Sequence, residues 1–444
     1  MRLLDFRVQG FKSLYDCHLT DLQPINVFHG ENNVGKSNLL EAMELFFRII
    51  SRPPLRAQAA TEMSLSEFQQ RFGCGAEIFS WDGDNTMVLH GRFQISETLA
   101  PAAADRLAAL SPVDAVVNVI YRPADDLLRV ILQSWKIGPN QIEIMADPLP
   151  PAGQALLNDL VRLVQPVLER HSFYRIRSDR RLIREEMEQG TSMRPAALPP
   201  LDPSGSNLKQ WLLWASVSRD PGERRAFERV VRPMFADPPL SLGTLAPVAA
   251  PGEPYDLQLD TPRRSIPINQ LGSGVQQLAL LGGMIALSQS WIVAIEEPEI
   301  NLSWPTQEKL KYILHRMVRQ GAEPPAQLFL SSHSPVFEFY ERYFKVEMEN
   351  GQTRVTPRSN ERRAEEFTTV AEGRGTMIRN GVTVVREGDG VRIRSGNAVV
   401  LPERVLKALD VSQGDAIYFY RQGDQMLVLN DAQLEDLLRP PEDR

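Results

Sequence analysis

The chain has 444 residues, 43% of them hydrophobic and 24% charged, and 49 Lys+Arg against 56 Asp+Glu give a formal net charge of −7. This globular composition allows two or more cored domains and excludes indiscriminate coating of nucleic acid, although not a local basic groove. Two cysteines, Cys17 and Cys74, supply neither a disulfide framework nor a metal-ligand spacing and read as small core-filling thiols.

No charged segment followed by an apolar run and a small-residue cleavage site opens the chain, so a cytoplasmic location is expected. Residues 1–30 read as two or three strands, with alternation in Leu4-Asp5-Phe6-Arg7-Val8 and turn signals at Gly10 and at residues 21–24. They lead into Ile25-Asn26-Val27-Phe28-His29-Gly30-Glu31-Asn32-Asn33-Val34-Gly35-Lys36-Ser37-Asn38, where Gly30, Gly35, Lys36 and Ser37 fit G-x-x-x-x-G-K-[ST]. A loop of this spacing turns backbone N–H groups around phosphate oxygens and opens a helix whose positive end faces the anion. Lys36 can reach the β- and γ-phosphates, the Ser37 hydroxyl can ligate Mg²⁺, and Asn33 and Asn38 join the candidate ATP-binding residues. Leu39, Leu40, Met43, Phe46, Phe47 and Ile50 then recur at helical spacing, and Ser51-Arg52-Pro53-Pro54 ends the helix.

Residues 75–150 alternate apolar and polar positions and predict an antiparallel β-subdomain. Residues 151–260 predict a helical insert, with helices near 155–169 and 207–216 and a proline-rich connector at 195–203. Within it, Phe173-Tyr174-Arg175-Ile176-Arg177-Ser178-Asp179-Arg180-Arg181 is the densest basic cluster, either a solvated face or a contact to DNA phosphates or nucleotide.

Leu271-Gly272-Ser273-Gly274-Val275-Gln276-Gln277 opens another helix with two glycines and a serine, either a simple N-cap or a second anion-binding end serving another subunit's ATP. The uncharged run 278–295 is membrane-length, but its Gly-Gly pair and Ser288-Gln289-Ser290 break suit a buried helix feeding a buried strand. That strand ends in Glu296-Glu297-Pro298-Glu299, where Glu296 would hold the Mg²⁺ water shell and Glu297 would deprotonate the attacking water. A second apolar strand ends in Ser331-Ser332-His333-Ser334-Pro335, and His333 would sense the γ-phosphate from beside the catalytic strand.

The order of phosphate loop, LGSGVQQ, IEEPE and SSHSP resembles the ABC-type ATPase heads of the RecF, SMC and OLD (overcoming lysogenization defect) group, over roughly residues 1–345. Glu-Glu-Pro-Glu followed by Asn301-Leu302 is most similar to the OLD-like branch. The resemblance implies an α/β fold: an ABC-type P-loop head with antiparallel β and helical subdomains. It also implies that Gly30, Gly35, Lys36 and Ser37 form the Walker A loop, Glu296 and Glu297 the Walker B acids, and His333 the switch histidine. Gly272, Ser273 and Gly274 correspond to the signature loop, which in relatives contacts ATP across a head-to-head dimer, and residues 301–303 to the D-loop. Gly272 and Ser273 are interchanged relative to the usual Leu-Ser-Gly-Gly order, Ser303-Trp304 stand for a frequent His-Pro, and Gln94 is the tentative Q-loop position.

The acidic Toprim pattern of OLD nucleases is not found after Pro335, so no nuclease is expected. Residues 346–380 read as a linker and 432–444 as a tail. Residues 381–431 read as strand, Pro-started helix, Gly-Asp turn and hairpin, and resemble the β-rich AbrB/MazE-type swapped-hairpin domain, whose members form intertwined dimers and in many cases bind DNA. The implied protein is a homodimeric or higher homo-oligomeric Mg²⁺-dependent ATPase without a membrane span. It would act as sensor or regulator beside a separate effector in a DNA-directed system, with bacterial anti-phage defence foremost. A RecF-like repair ATPase and an AbrB-type DNA-binding regulator remain the alternatives.

Overall fold

The structure is a computed structural model that describes residues 1–51, 60–80, 85–96, 104–143, 151–182, 201–217, 224–225, 228, 231, 234–236, 240–248, 256–319, 324–338, 342–359, 392–394, 398–400, 417–422 and 425–430. Two units are formed, Met1–Arg358 and Ser359–Arg444.

In the first unit the alternation of the opening residues becomes β1 (Arg2–Phe11) and β2 (Leu14–Leu19), paired antiparallel. β4 (Ala60–Ser64), β5 (Thr86–Gln94), β6 (Val113–Arg122), β7 (Leu127–Ile137) and β8 (Ile142–Glu143) extend the same sheet in the order β2-β1-β5-β6-β7-β4, with β8 on β7. The expected β-subdomain of 75–150 is therefore not a separate sheet. β5 completes the hydrogen-bonding edge that β1 would otherwise leave open, with Phe6 opposite Gly91 and Val8 opposite Leu89.

The second sheet has the order β16-β15-β3-β14-β13-β9. β3 (Ile25–His29), β14 (Gln327–Ser332), β13 (Ile292–Glu296) and β9 (Phe173–Ile176) are mutually parallel and β15 (Arg342–Glu349) is parallel to β3. Every residue of β13 and β14 is buried, as expected for central strands covered on both faces. β9 corrects the helical reading of 151–260: half of the basic cluster is a strand beside β13. β16 (Gln352–Ser359) follows β15 through Asn350-Gly351, both at positive φ. Residues 346–359, expected as the start of a linker, thus complete the sheet, because Phe344 and Val346 have apolar faces that the core accepts.

Helix α1 (Lys36–Ser51) lies between the two sheets and buries all six positions that its periodicity predicted. Phe46 meets Phe6 of the antiparallel sheet at 5.8 Å, and Phe47 stacks on Phe173 of β9 at 5.6 Å. At about 1.5–3 kcal/mol per fully buried large apolar side chain, this stripe fixes the helix that carries the phosphate loop. Gly91 lets the layers approach, since a Cβ there would lie 2.4 Å from the Phe46 ring. Gln327, fully buried, links the sheets by accepting from Leu3 N–H and donating to the Leu3 and Gln23 carbonyls.

On the opposite face, Ile25, Val27, Val293, Ile295, Leu328 and Leu330 join a core with α6 (Leu208–Val217), α7 (Ser273–Ser288) and α8 (Trp304–Arg319). The apolar run 278–295 is split between α7 and β13, and no helix among the described residues is long and apolar enough to cross a membrane. Both cysteines are buried, and burial pushes each thiol up to about 12. α2 (Leu65–Phe72), α3 (Ala104–Leu110), α4 (Pro151–Asp159), α5 (Gln165–His171) and the small sheet of β10 (Thr244–Val248), β11 (Asp256–Asp260) and β12 (Ser265–Pro267) complete the described part of this unit, with a four-residue helix, α9 (Pro335–Glu338), after β14.

In the second unit β17 (Arg392–Arg394) pairs antiparallel with β18 (Ala398–Val400), and β19 (Ile417–Gln422) with β20 (Gln425–Asn430). The helix expected after Pro402, most of the linker to 380, the tail and residues 195–200 of the proline-rich connector lie outside the described residues.

Candidate nucleotide site

β3, β14 and β13 run parallel, so their carboxyl ends stand together, where α/β sheets place ligands. Gly30 N–H donates to the Ser332 carbonyl at 3.3 Å and Glu297 N–H donates to the Ser331 carbonyl at 2.8 Å, which ties the loops leaving the three strands to one another.

The phosphate loop closes on its own lysine. Lys36 Nζ donates to the carbonyls of Gly30 and Glu31 at 2.8 and 2.6 Å. Burial pulls the ammonium below its usual range, opposed by Glu297, Glu299 and Glu31, so two carboxylates of the turn after β13 act on it electrostatically. Asn33 and Gly35 have φ of +64° and +97°. Both glycines are required by the fold: a Cβ on Gly30 would lie 2.2 Å from the Val346 carbonyl, and one on Gly35 would lie 2.0 Å from Thr353 Oγ1. Thr353, which the sequence reading placed in a linker, donates its hydroxyl to the Val34 carbonyl at 2.9 Å. Ser13 Oγ lies 2.6 Å from Thr353 Oγ1 and accepts from the Asn38 amide at 2.8 Å. The Asn38 side chain is thereby placed on Ser13, while Ser37 is exposed at the start of α1.

Glu296 ends β13 buried. Burial raises its carboxyl above the usual range, against the lowering effects of Arg175 and the Ser178 N–H. Its Oε1 is 3.5 Å from Arg175 Nη1 and its Oε2 accepts from Ser178 N–H at 3.3 Å. Arg175 Nε also pairs with Glu44 of α1 at 2.8 Å. Ser37 and Glu296 are oxygen donors of the kind Mg²⁺ takes when phosphates and water complete its shell. No cluster of three or more His, Cys, Asp or Glu suited to a protein-only metal cage is found among the described residues. Ser37 and Glu296 would supply two oxygens to a metal that arrives with a nucleotide's phosphates.

Arg180, a member of the basic cluster, is 3% exposed. Its fork donates to Gln277 Oε1 on α7 at 3.1 Å and to the carbonyls of Arg177, Glu296 and Glu297 at 3.0, 2.6 and 2.8 Å. Burial brings the guanidinium down to about 10, against the pull of Glu299, Glu296 and Glu297. Arg175 and Arg180 are thus internal struts of the site and not part of a solvated face. Arg177 and Arg181 are exposed, and Arg177 pairs with Asp179 at 2.9 Å. Phe173-Tyr174-Arg175-Ile176 sets three apolar or aromatic side chains around Arg175, a run too short to show a strand period. Held by these carbonyl bonds, Glu297 has a left-handed φ of +43° at the turn out of β13.

The switch loop at the end of β14 is anchored on Glu299. His333 itself is about half exposed, with Nδ1 3.3 Å from Glu299 Oε1. Gly272 caps the N-terminus of α7 without a side-chain hydrogen bond, and Gly272 and Ser273 are exposed. A Cβ on Gly274 would lie 3.1 Å from the Asn301 carbonyl, so the signature segment meets the D-loop segment of its own chain. No hydrogen bond or ion pair among the described residues joins 272–274 to 30–38. Gln94 ends β5, exposed and paired in register with Arg2 on the antiparallel sheet.

The family model described as an AAA ATPase domain matches residues 1–72 and 251–337. The match takes in β3, α1, the signature segment, β13, His333 and Glu299, but neither β9 with Arg175 nor Thr353. Among solved structures, similarity is found to the SMC head domain from Thermotoga maritima, at 13% identity and TM-score 0.42 over 81% of this chain and 100% of that one. It is also found to an SmcHead bound to the C-winged helix domain of ScpA, at 12% identity and TM-score 0.47 over 82% and 100%. A third match is an Smc head domain with an extended coiled coil bound to the C-terminal domain of ScpA derived from Pyrococcus furiosus, at 12% identity and TM-score 0.46 over 83% and 99%. No curated protein matches the chain.

The raised carboxyl of Glu296 makes stability depend on pH. In the folded chain this group holds its proton to higher pH than in the unfolded chain, so the folded state loses stability as pH rises from about 4.5 through the raised value. Glu296→Gln avoids that loss, and Arg175 keeps Glu44 as partner. The variant should melt above wild type at neutral pH, with the difference gone below about pH 4.5, while its Mg²⁺-dependent nucleotide binding falls. Melting curves across pH, paired with nucleotide titration, measure both.

Proposed function

We propose that the chain is a Mg²⁺-dependent ATPase whose heads close on ATP in pairs. The observation that carries this is the convergence of Lys36, Glu297 and His333 at the ends of three adjacent strands, together with the exposed Gly272 and Ser273, which open α7 without a side-chain cap and, among the described residues, make no bond to their own phosphate loop. Lys36 bears the phosphate charge with Gly30, Asn33 and Gly35 of the loop, and Ser37 and Glu296 would hold the Mg²⁺ that neutralises it. Glu297 orients and deprotonates the attacking water, and His333 donates to the γ-phosphate. Gly272, Ser273 and Gly274 offer a helix N-terminus to ATP bound on the other copy.

Turnover then acts as a switch on assembly. The finer reading is a sensor or regulatory ATPase of an anti-phage system directed at DNA, with a separate effector. It is supported by the similarity of Glu-Glu-Pro-Glu to the OLD-like branch. Nuclease activity intrinsic to the pure chain would contradict it. Residues 381–431 serve as a dimerisation unit, a reading supported by two short antiparallel pairs of the kind that need a partner to bury a core.

Lys36→Ala is expected to lose ATP affinity. Glu297→Gln is expected to keep affinity within about threefold while turnover falls by about 10²–10⁴-fold, since only the base is removed. Equilibrium nucleotide binding and single-turnover hydrolysis separate the two, and equal affinity loss in both would overturn the assignments. Deleting residues 381–444 should lower the nucleotide-free mass in solution to that of a monomer. An unchanged oligomer would place dimerisation elsewhere.

A further inference from the structure

Glu299 lies three residues past the end of β13, in the turn toward α8, and is 6% exposed. One of its oxygens gathers the whole switch loop. Oε1 accepts from Ser332 Oγ at 2.7 Å, His333 N–H at 2.9 Å and Ser334 N–H at 3.2 Å, and lies 3.3 Å from His333 Nδ1. Ser334 Oγ is held in turn by Gln307 Oε1 of α8 at 2.6 Å. The other oxygen, Oε2, is buried and has no hydrogen-bond partner among the described residues.

This arrangement is more than a packed turn. The His333 backbone N–H donates to this atom and the ring Nδ1 lies 3.3 Å from it as an ion-pair contact, so the oxygen that holds the backbone also faces the ring. Glu299 is also joined to the catalytic strand end: Ile300 N–H donates to the Glu297 carbonyl at 3.1 Å and Leu302 N–H to the Glu299 carbonyl at 3.0 Å. A buried carboxylate is costly unless it is well bonded, and here the three hydrogen bonds fall on a loop whose only exposed polar side chain is the histidine. We propose that Glu299 is a positioning residue: it locks the switch loop and presents the His333 ring to the nucleotide at a position set by the strand end that carries Glu297. The proposal rests on the ATPase reading for its consequence in turnover, but not for the lock itself.

The test uses the full chain as Glu299→Ala, Glu299→Gln, His333→Ala and the double variant Glu299→Ala/His333→Ala. Without nucleotide, amide exchange at His333 and Ser334 should quicken about tenfold or more in Glu299→Ala, whereas Glu299→Gln, whose amide oxygen can accept the same bonds, should keep most of the protection. With Mg-ATP, Glu299→Ala should lose about 10–100-fold in turnover. The double variant should be no slower than His333→Ala alone, because Glu299 acts through that ring. Unchanged exchange in Glu299→Ala overturns the lock. Losses that multiply in the double variant overturn its action through His333, whatever the exchange result. Wild type without ATP turnover overturns the ATPase reading instead, and the exchange measurement then decides the lock alone.

Discussion

The first unit depends on one constraint: β3, β14 and β13 must lie parallel and in register so that three loops leave the sheet at one level. The register pairs Ser332 with His29 and Glu296 with Ser331, and a slip of one residue would turn every side chain to the opposite face. The alternation of the two cores holds it, with Phe28, Phe329 and Ala294 facing α1 and Val27, Leu328 and Val293 facing α7 and α8. The buried bonds of Gln327 at the other end of β14 then fix that sheet against β1.

Given that register, the site is assembled by buried polar groups that each touch more than one motif. Arg180 draws the Glu296 and Glu297 carbonyls and the α7 side chain Gln277 onto one guanidinium. A lysine would not replace it, since a point ammonium cannot satisfy three separated acceptors with a rigid fork. Thr353 and Ser13 do the same for the phosphate loop, from elements almost 340 residues apart in the chain. Glu299 completes the set on the switch side. Each such group is costly to bury unless it is hydrogen-bonded, and each is bonded here.

What the sequence disclosed follows from where its signals are local. The phosphate loop, the α1 stripe and the two apolar strands ending in Glu296 and Ser332 were legible because spacing and periodicity are properties of a few consecutive residues. β9 was not, because four residues are too short for a period and its arginine suggested a surface. Charge alone does not distinguish an exposed Arg177 from a buried Arg180, two of whose acceptors are backbone carbonyls more than 110 residues away. The hairpin of β15 and β16 was hidden for a similar reason: its many polar side chains look like a linker, while its function is to close over Gly30 and Gly35. Glu299 stood in plain view in Glu-Glu-Pro-Glu, but its partners 33–35 positions on are known only from the fold.

The central claim is that each ATP site is built from two copies, and mixing two inactive variants tests it most directly. Lys36→Ala lacks a working phosphate loop and Ser273→Arg a working signature segment, so neither alone should turn over ATP. Mixed in equal amounts with subunit exchange, half of the dimers carry one intact composite site, and about a quarter of wild-type turnover should return. Activity that stays at the level of the separate variants would contradict the account, as would full activity of Ser273→Arg by itself.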